Sequence, residues 1–450
     1  MTALSASQRI ATLAVLAAMA LAVLDMGMVN VALPILAQRF EAAPSDAILV
    51  ISACQAALLV GLLPCAHIAD RTSPRAMFRG GVALFCGASL LCALAPSLTF
   101  LIAARVLQGL GAAAVMALGV ALLRSALGSD RLGSAIAWNA LTVALSSAAG
   151  PALGAVILSF ASWPWLFLAG LPLGAAALLA AGALPDRPAT RDAVDAPAIA
   201  LHAAAVILFL AAAKAAASDA MLALILACSA APLLALLMRR TRGRHSPMLP
   251  ADLLGRPSFA VQASASACCF IGQSLGLVAL PFHLQRAVPN DLVAAGLVVT
   301  CWPLGVAATS LAMGRMSGLD RGVQCAAGGG LLAAGLLLSA SLPLQWGAMP
   351  LAAGAALCGI GFGLFQLANN RALFLAAPAE RAAAAGGIQG TARLTGQTTG
   401  TLIMALIYSW SSMALAPRVG LVIGAAFASA AAMLAARRAQ AGTGEDSRGP

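Results

Sequence analysis

The chain has 450 residues, of which 61% are hydrophobic and only 9% are charged, whereas about 25% of the residues in ordinary soluble domains are charged. This composition excludes a soluble enzyme or binding module and predicts an all-α polytopic membrane protein. The net charge of +11 does not indicate a nucleic-acid partner, because the basic residues form short clusters between apolar runs rather than a stripe.

Fourteen apolar runs are long enough to cross a hydrocarbon layer of about 30 Å at 1.5 Å per residue. The seventh and eighth runs are the least regular, because His202 and Lys214 interrupt an alanine-rich stretch. In chain order the predicted spans cover residues 11–36, 46–68, 77–95, 98–123, 134–159, 162–183, 197–217, 219–238, 258–282, 292–314, 322–342, 347–370, 384–409 and 417–437.

The spans predict two bundles of six helices with two further helices inserted between them. We expect an N-terminal bundle over residues 1–183, the inserted helices over 184–238, a basic cytoplasmic linker over 239–257, a C-terminal bundle over 258–437 and a tail over 438–450. Each half has a charged turn after its second span, at 69–75 and at 314–322. Such internal repetition is typical of secondary transporters, whose substrate site lies between the repeats near the midplane.

The distribution of basic residues predicts the orientation of the chain. Most of the 26 lysine and arginine residues fall in alternate loops, and such residues accumulate on the cytoplasmic side. We therefore expect both termini and the 239–257 linker in the cytoplasm.

The sequence predicts no metal site, no cofactor and no enzyme activity. The ten cysteines lie inside or at the edges of apolar runs and form no CxxC pair, and the four histidines have no metal-ligand spacing. Lys214 is the only lysine, so the phosphate-binding pattern GxxxxGK is absent. Energy for any transport must therefore come from a gradient or a partner.

Asp25 is the only acidic residue deep inside a predicted span. A charge at the centre of a bilayer costs about 2.5–3.5 kcal/mol on insertion scales, so it persists where it faces a cavity or a partner. Desolvation disfavours the ionised carboxyl, which suits a group that loads and releases a proton. The alternative is a structural aspartate that neighbouring helices satisfy.

Arg105 is a candidate partner for Asp25. Measured from the outer ends of their spans, Asp25 is about 16 Å deep and Arg105 about 10 Å deep at 1.5 Å per residue, so we expect the two to meet. A pair whose bonding changes on protonation couples a proton to a conformational equilibrium. The alternative is a static salt bridge that only fixes two helices.

Further polar and small residues interrupt the apolar spans. Gly150, Pro151 and Gly154 predict a close, bendable helix contact, because glycine permits close approach and proline removes a helix hydrogen bond. Gln389, Arg393 and Gln397 recur every fourth residue and form one stripe, which must face the protein interior; Arg393 lines the cytoplasmic side of a cavity or extends toward the interface. The expected cavity-lining residues are Asn30, Gln108, Gln389, Arg393 and Gln397.

Five sequence motifs lie at 24–34, 69–75, 105–113, 147–155 and 163–174. Together they resemble those of the fourteen-helix drug:proton antiporter branch of the major facilitator superfamily. "LDMGMVNVALP" (24–34) is similar to the first-helix motif, with Gly27 in place of the usual Thr, and "RVLQGLGAA" (105–113) matches the fourth-helix motif fully. "SAAGPALGA" (147–155) resembles the antiporter motif, and "WPWLFLAGLPLG" (163–174) resembles the sixth-helix motif with Pro164 and Gly170 substituted. "ADRTSPR" (69–75) is similar to a degenerate form of the superfamily's loop motif.

The resemblance implies the major facilitator fold, with two six-helix bundles plus two central helices, and alternating access. It implies proton-coupling roles for Asp25 and Arg105, a cytoplasmic gate formed by Asp70, Arg71 and Arg75, and an antiporter helix contact at Gly150, Pro151 and Gly154. The implied function is export of amphiphilic drugs or toxins in exchange for protons.

We expect the chain to act as a monomer in the bilayer of a bacterial cytoplasmic membrane. The late helices contain no acid, so a monovalent cation, a neutral molecule or a zwitterion is favoured over a dication. The alternatives are uptake or facilitated transport of a small metabolite on the same fold, and a membrane receptor that transports nothing.

Overall fold

The computed structural model describes residues 5–127, 132–185, 194–215, 219–241, 253, 255–288, 291–312, 320–376 and 382–446. Within these ranges the regular structure is entirely helical, so the predicted all-α class is confirmed. The α-helices are α1 (Ala6–Arg39), α2 (Pro44–Arg71), α3 (Pro74–Ala93), α4 (Leu98–Leu127), α5 (Leu132–Phe160), α6 (Trp165–Leu168), α7 (Leu171–Ala180), α8 (Ala196–Ala215), α9 (Ala220–Thr241), α10 (Pro257–Ala287), α11 (Leu292–Ala312), α12 (Arg321–Ser341), α13 (Ala348–Ala376), α14 (Ala382–Trp410) and α15 (Ala416–Asp446).

Most of these helices have the length and composition of membrane spans. Among the described residues, 10 helices are long and apolar enough to cross a bilayer, and three shorter apolar segments cover Leu145–Phe160, Ala196–Ala212 and Val293–Thr309. The helix α14 has 29 residues but is not one of the 10, because its first half is rich in glutamine, threonine and glycine. The chain is a multi-pass membrane protein, and the predicted count of fourteen spans is compatible with this result.

The sixth predicted span is not one regular helix. It consists of α6, α7 and a 3₁₀ turn over Ala181–Ala183, with Ala169 and Gly170 between the two α-helices. Pro172 occupies the first turn of α7 and lacks a backbone N–H, so the hydrogen-bond ladder is interrupted there. The whole stretch Trp165–Ala183 still qualifies by length and composition as one span.

The chain divides into two compact units. Unit 1 comprises Met1–Ala211 and Leu226–Leu237, and unit 2 comprises Ala212–Ile225 and Met238–Pro450. The finer domain boundaries that the sequence suggests stay a prediction.

In unit 1, α1 packs against α5, α4, α7 and α2, while α4 also packs against α2 and α3. Buried Val15 and Met19 of α1 join Phe78 of α3, Leu122 of α4 and Ala177 of α7 in one apolar core. The helix that carries Asp25 therefore lies inside its unit, so the position of the carboxylate is determined by neighbours on several sides.

In unit 2, α10 packs against α14 and α15, α12 packs against α13 and α15, and α11 packs against α13. The corresponding pairs in unit 1 are α1 with α5 and α7, α3 with α4 and α7, and α2 with α4. The same pattern of helix pairing therefore occurs in both units, which is the arrangement expected of an internal repeat.

Candidate functional site

The side chains of Asp25 on α1 and Arg105 on α4 form an ion pair inside unit 1. Arg105 Nη1 lies 2.5 Å from Asp25 Oδ2. The side chain of Arg105 is 0% exposed and that of Asp25 is 4% exposed. The prediction that these residues meet is therefore confirmed, although their role is a separate question. A buried pair of this kind needs further hydrogen bonds to offset its desolvation.

Gln108, one turn along α4 from Arg105, supplies those hydrogen bonds. Its Nε2 donates to Asp25 Oδ1 at 2.9 Å and to Ser89 Oγ at 2.8 Å. Its Oε1 accepts from Arg105 Nη1 and lies 3.7 Å from the thiol of Cys92. The amide uses its donors and its acceptor at once, so it orients the carboxylate and the guanidinium together.

Arg105 has partners besides the carboxylate. Its Nε donates to the Val50 backbone carbonyl at 3.1 Å, and its Nη2 lies 3.4 Å from Met26 Sδ. The guanidinium carbon also lies 5.8 Å from the centre of the Phe167 ring, within the range of a cation–π interaction. The site thus joins α1, α2, α3, α4 and α6 around one guanidinium.

No sequence pattern identifies Ser89, Cys92, Val50 or Phe167 as members of this site. Serine and cysteine are common in apolar helices, and a backbone carbonyl has no sequence signature. One signal was available, because a glutamine side chain has four hydrogen-bonding positions and must find partners for them when it is buried.

The predicted helix contact involves α1 and α5. A Cβ atom added to Gly27 would lie 3.0 Å from Gly150 Cα and 3.1 Å from Pro151 Cδ, and one added to Gly154 would lie 2.8 Å from Met28 Cα. Such distances are shorter than ordinary packing allows, so the two backbones touch directly. This close approach explains why position 27 is glycine, where the similar motif has threonine. The contact lies two residues after Asp25 in the chain.

The predicted gate residues are only partly described. Asp70 lies outside the residues whose side chains the structure describes. Arg71 Nη1 donates to the His67 carbonyl at 3.1 Å and lies 3.0 Å from His67 Nδ1. Arg75 Nη1 donates to the carbonyls of Gly182 and Leu184, each at 3.4 Å, so it binds the end of the sixth predicted span.

The other predicted cavity residues are Asn30 in unit 1 and Gln389, Arg393 and Gln397 in unit 2. Asn30 is half-buried on α1, five residues beyond Asp25 and hence on a different face of the helix. In unit 2, Gln389 Oε1 accepts from Ser266 Oγ at 3.2 Å, and the Gln397 backbone carbonyl accepts from Ser274 Oγ at 2.8 Å. These bonds attach α14 to α10 along one side.

Among the described residues, no group of three His, Cys, Asp or Glu side chains is arranged to hold a metal ion. The described side chains at the centre of the site are a carboxylate, a guanidinium and an amide that are joined by hydrogen bonds. A buried ion pair inside spanning helices marks a candidate functional site of a membrane protein.

Comparison with known proteins identifies the family of this membrane protein. A family model described as Major Facilitator Superfamily matches residues 15–238. The uncharacterized transporter YebQ of Escherichia coli (strain K12) is 38% identical over 411 residues, which cover 88% of this chain and 88% of that protein. The chain belongs to the major facilitator superfamily, and it is a transporter rather than an enzyme.

More distant relatives have named activities of their own. The multidrug resistance protein Stp of Mycobacterium tuberculosis (strain ATCC 25618 / H37Rv) is 28% identical, over 88% of this chain and 75% of that protein. The riboflavin transporter RibZ of Clostridioides difficile (strain 630) is 24% identical, over 86% of this chain and 85% of that protein. The superfamily thus accounts for transport of a small molecule without identifying it.

Proposed function

We propose that the chain is a secondary active transporter that exports drug-like or toxic small molecules in exchange for inward-moving protons. The observation that carries the proposal is the buried pair of Asp25 and Arg105, bridged by Gln108. A carboxylate in the middle of a spanning helix is a functional residue by default, because its burial is costly and a neutral residue would avoid the cost.

The pair has two bonding states in this proposal. With Asp25 ionised, its two oxygens accept from Arg105 and Gln108. With Asp25 protonated, the ion pair is lost, and Arg105 keeps the Gln108 oxygen and the Val50 carbonyl as acceptors. Because the attraction between α1 and α4 differs between these states, a proton can bias a conformational equilibrium.

We assign the close contact of α1 with α5 to the part of unit 1 that rearranges in this exchange. Gly27 lies two residues from Asp25 and touches Gly150 and Pro151. Since no side chain separates the two backbones, a small rotation of α1 is transmitted directly to α5. Asp70, Arg71 and Arg75 would form the cytoplasmic gate, with Arg75 holding the end of the sixth span.

The proposed substrates are amphiphilic molecules with at most one positive charge. The relative Stp is named a multidrug resistance protein, which supports export of drug-like compounds. The carboxylates of unit 2 whose side chains are described, Asp219, Asp291 and Asp320, are exposed and each accepts hydrogen bonds from the first turn of a helix. None of these three lies inside a span, where it would meet a second positive charge of a bound substrate. Better competition by dicationic than by monocationic biocides in reconstituted vesicles would contradict this selectivity.

We place the protein in a bacterial cytoplasmic membrane, as a monomer with both termini inside. The clustering of arginine in alternate loops supports that orientation. Labelling of cysteines introduced at exposed positions of the 239–257 linker, in intact cells and in inverted vesicles, would show which side of the membrane the linker occupies.

The exchange is tested by proton flux in vesicles that contain the purified protein and an enclosed pH-sensitive dye. Monocationic ethidium, zwitterionic ciprofloxacin and dicationic chlorhexidine are added under an imposed pH gradient. We expect substrate-dependent proton flux in the native protein and in Asp46→Asn, a variant at an exposed carboxylate of the first turn of α2. Asp25→Asn should abolish that flux while the protein remains folded. Undiminished flux in Asp25→Asn would refute the proposed proton site.

A second candidate is transport of a metabolite, in either direction, on the same fold. It is favoured by the relative RibZ, which is named a riboflavin transporter. Uptake of radiolabelled riboflavin into vesicles, measured with and without a pH gradient, separates the two candidates. A rate of riboflavin uptake down its concentration gradient that is the same with and without a pH gradient would favour facilitated transport.

A further inference from the structure

Arg393 is an unusual residue of unit 2 that the proton site does not use. It lies 11 residues after the start of α14, or about 17 Å along the helix at 1.5 Å per residue. Its side chain is partly buried, whereas Arg256, Arg286, Arg321 and Arg371 of the same unit are exposed. A guanidinium in this position is costly unless an anion or a set of acceptors surrounds it.

The face of α14 that carries Arg393 is turned toward α10. Added Cβ atoms would lie 2.6 Å from the Ala267 carbonyl at Gly396 and 2.7 Å from the Ile271 carbonyl at Gly400. Gln389, one turn before Arg393, binds Ser266 of α10. Since residues three and four apart share a helix face, Arg393 lies between these contacts, within the protein rather than toward the lipid.

No protein group neutralises Arg393 in the part of the chain that the structure describes. It forms no hydrogen bond or ion pair there, and no charged side chain acts on it. The described carboxylates of unit 2, Asp219, Asp291 and Asp320, lie exposed at the N-termini of α9, α11 and α12. Among the described residues Arg393 therefore has no counter-ion, and an anion from outside the chain can supply one.

Unpaired hydrogen-bond acceptors lie nearby on α10 and α13. Gln262 and Asn369 are 4% and 1% exposed, and their amide oxygens Oε1 and Oδ1 have no hydrogen-bond partner. Asn369 Nδ2 donates to the Gln262 backbone carbonyl at 3.3 Å, which joins the two helices. Gln262 is one turn before Ser266, and Arg393 is one turn after Gln389, which binds Ser266. Gln262 therefore lies within about two helical turns of Arg393 along the helix axes.

We infer that unit 2 binds a substrate that carries a carboxylate or a similar anionic group, with Arg393 as the residue that binds it. A hydrogen-bond donor on the same molecule would bind the free amide oxygens of Gln262 and Asn369. This inference rests on the proposed function and narrows its substrates to zwitterions and amphiphilic acids. The recognising chemistry is a guanidinium that forms charge-assisted hydrogen bonds with an anion in surroundings of low dielectric constant.

The test uses one fluorescent probe in two forms, 6-(dansylamino)hexanoate and its neutral carboxamide. Binding of each is measured by fluorescence with the full-length protein in dodecyl maltoside, without added lipid. We expect the carboxylate to bind about tenfold more tightly than the amide, and Arg393→Gln to remove this difference. Arg321→Gln, which removes an exposed arginine of the same unit, is the matched control and should preserve it.

Arg393→Lys keeps the charge but loses the paired N–H geometry, so it should retain part of the preference for the carboxylate. This variant keeps the test decisive if Arg393→Gln fails to fold. Equal binding of the two probe forms by the native protein would overturn the inference, and so would a preference that survives in Arg393→Gln.

A lipid headgroup offers a second source of the same anionic chemistry. Binding is therefore repeated in nanodiscs of phosphatidylcholine, with and without phosphatidylglycerol. A preference for the carboxylate that phosphatidylglycerol abolishes would assign Arg393 to lipid and overturn its role with substrate. A persisting preference supports the inference. If the native protein shows no substrate-dependent proton flux but still prefers the carboxylate probe, proton antiport is refuted and the anion site at Arg393 is not.

Discussion

Loss of Arg105 should destabilise unit 1 much more than loss of the Asp25 carboxylate, although both changes remove the same ion pair. Without Arg105, the carboxylate keeps only the Gln108 amide as a described donor, and at a pH high enough to keep it ionised it becomes an unpaired buried charge. Breaking a buried pair in this way costs about 3–5 kcal/mol. Arg105→Met is the suitable variant, because methionine keeps most of the apolar stem.

Asp25→Asn leaves Arg105 with more acceptors. The guanidinium retains the Gln108 oxygen, the Val50 carbonyl and the face of the Phe167 ring, and the new amide oxygen can accept as well. The loss is then the difference between a charged and a neutral hydrogen bond, about 1–2 kcal/mol. The double variant, Asp25→Asn with Arg105→Met, leaves neither charge of the pair. We therefore expect it to be more stable than the sum of the two single losses predicts, by about 2–3 kcal/mol.

Thermal unfolding in detergent, followed with a thiol-reactive fluorescent dye, measures these differences. Cys54 and Cys92 are buried near the pair and react with the dye when unit 1 unfolds. At roughly 2–4 °C per kcal/mol for a unit of this size, Arg105→Met should lower the Tm by about 6–20 °C, and Asp25→Asn by about 2–8 °C. Equal losses in the two single variants, or strict additivity in the double variant, would refute this reasoning.

Two further predictions concern the helix contact and the gate. Gly154→Ala should destabilise the protein by about 1–3 kcal/mol and reduce proton flux, because the new Cβ meets the Met28 backbone, while Gly87→Ala, whose Cβ meets nothing within 4 Å, should leave both unchanged. Unfolding and flux assays check the pair, and equal effects would contradict the contact. Arg75→Gln should cost under about 1 kcal/mol, since its hydrogen bonds are long, yet slow transport if the gate acts through it; unaltered flux would remove Arg75 from the gate.

The meeting of Asp25 with Arg105 was predictable because helices in lipid leave few options for charged groups. Both side chains lie deep in their spans, and a buried charge must find a partner at a similar depth. The same reasoning placed Gln108 beside a cavity, whereas the structure buries it completely between the two charges. Which face of α4 meets α1 depends on packing across several helices, which the periodicity of one sequence does not specify.

The irregular parts of the fold were harder to predict, for reasons that particular residues make clear. A hydropathy pattern identifies the sixth span as one segment, but Gly170 and Pro172 divide it into two short helices. In the sequence, Gly27 is only a departure from the threonine of the similar motif. The structure explains the glycine, because the backbone of Gly150 packs directly against it. Hydropathy records the average environment of a segment, while these features depend on single backbone contacts.

The fully buried guanidinium of Arg105 also has a consequence for the response of the transporter to voltage. When Asp25 is ionised, the site has no net charge, and each proton that binds leaves one positive charge inside unit 1. A charge that crosses the full membrane field changes in energy by about 2.3 kcal/mol per 100 mV. Under the proposed exchange, a cell with an inside-negative potential would therefore keep driving the loaded site inward when the proton concentrations on the two sides are equal.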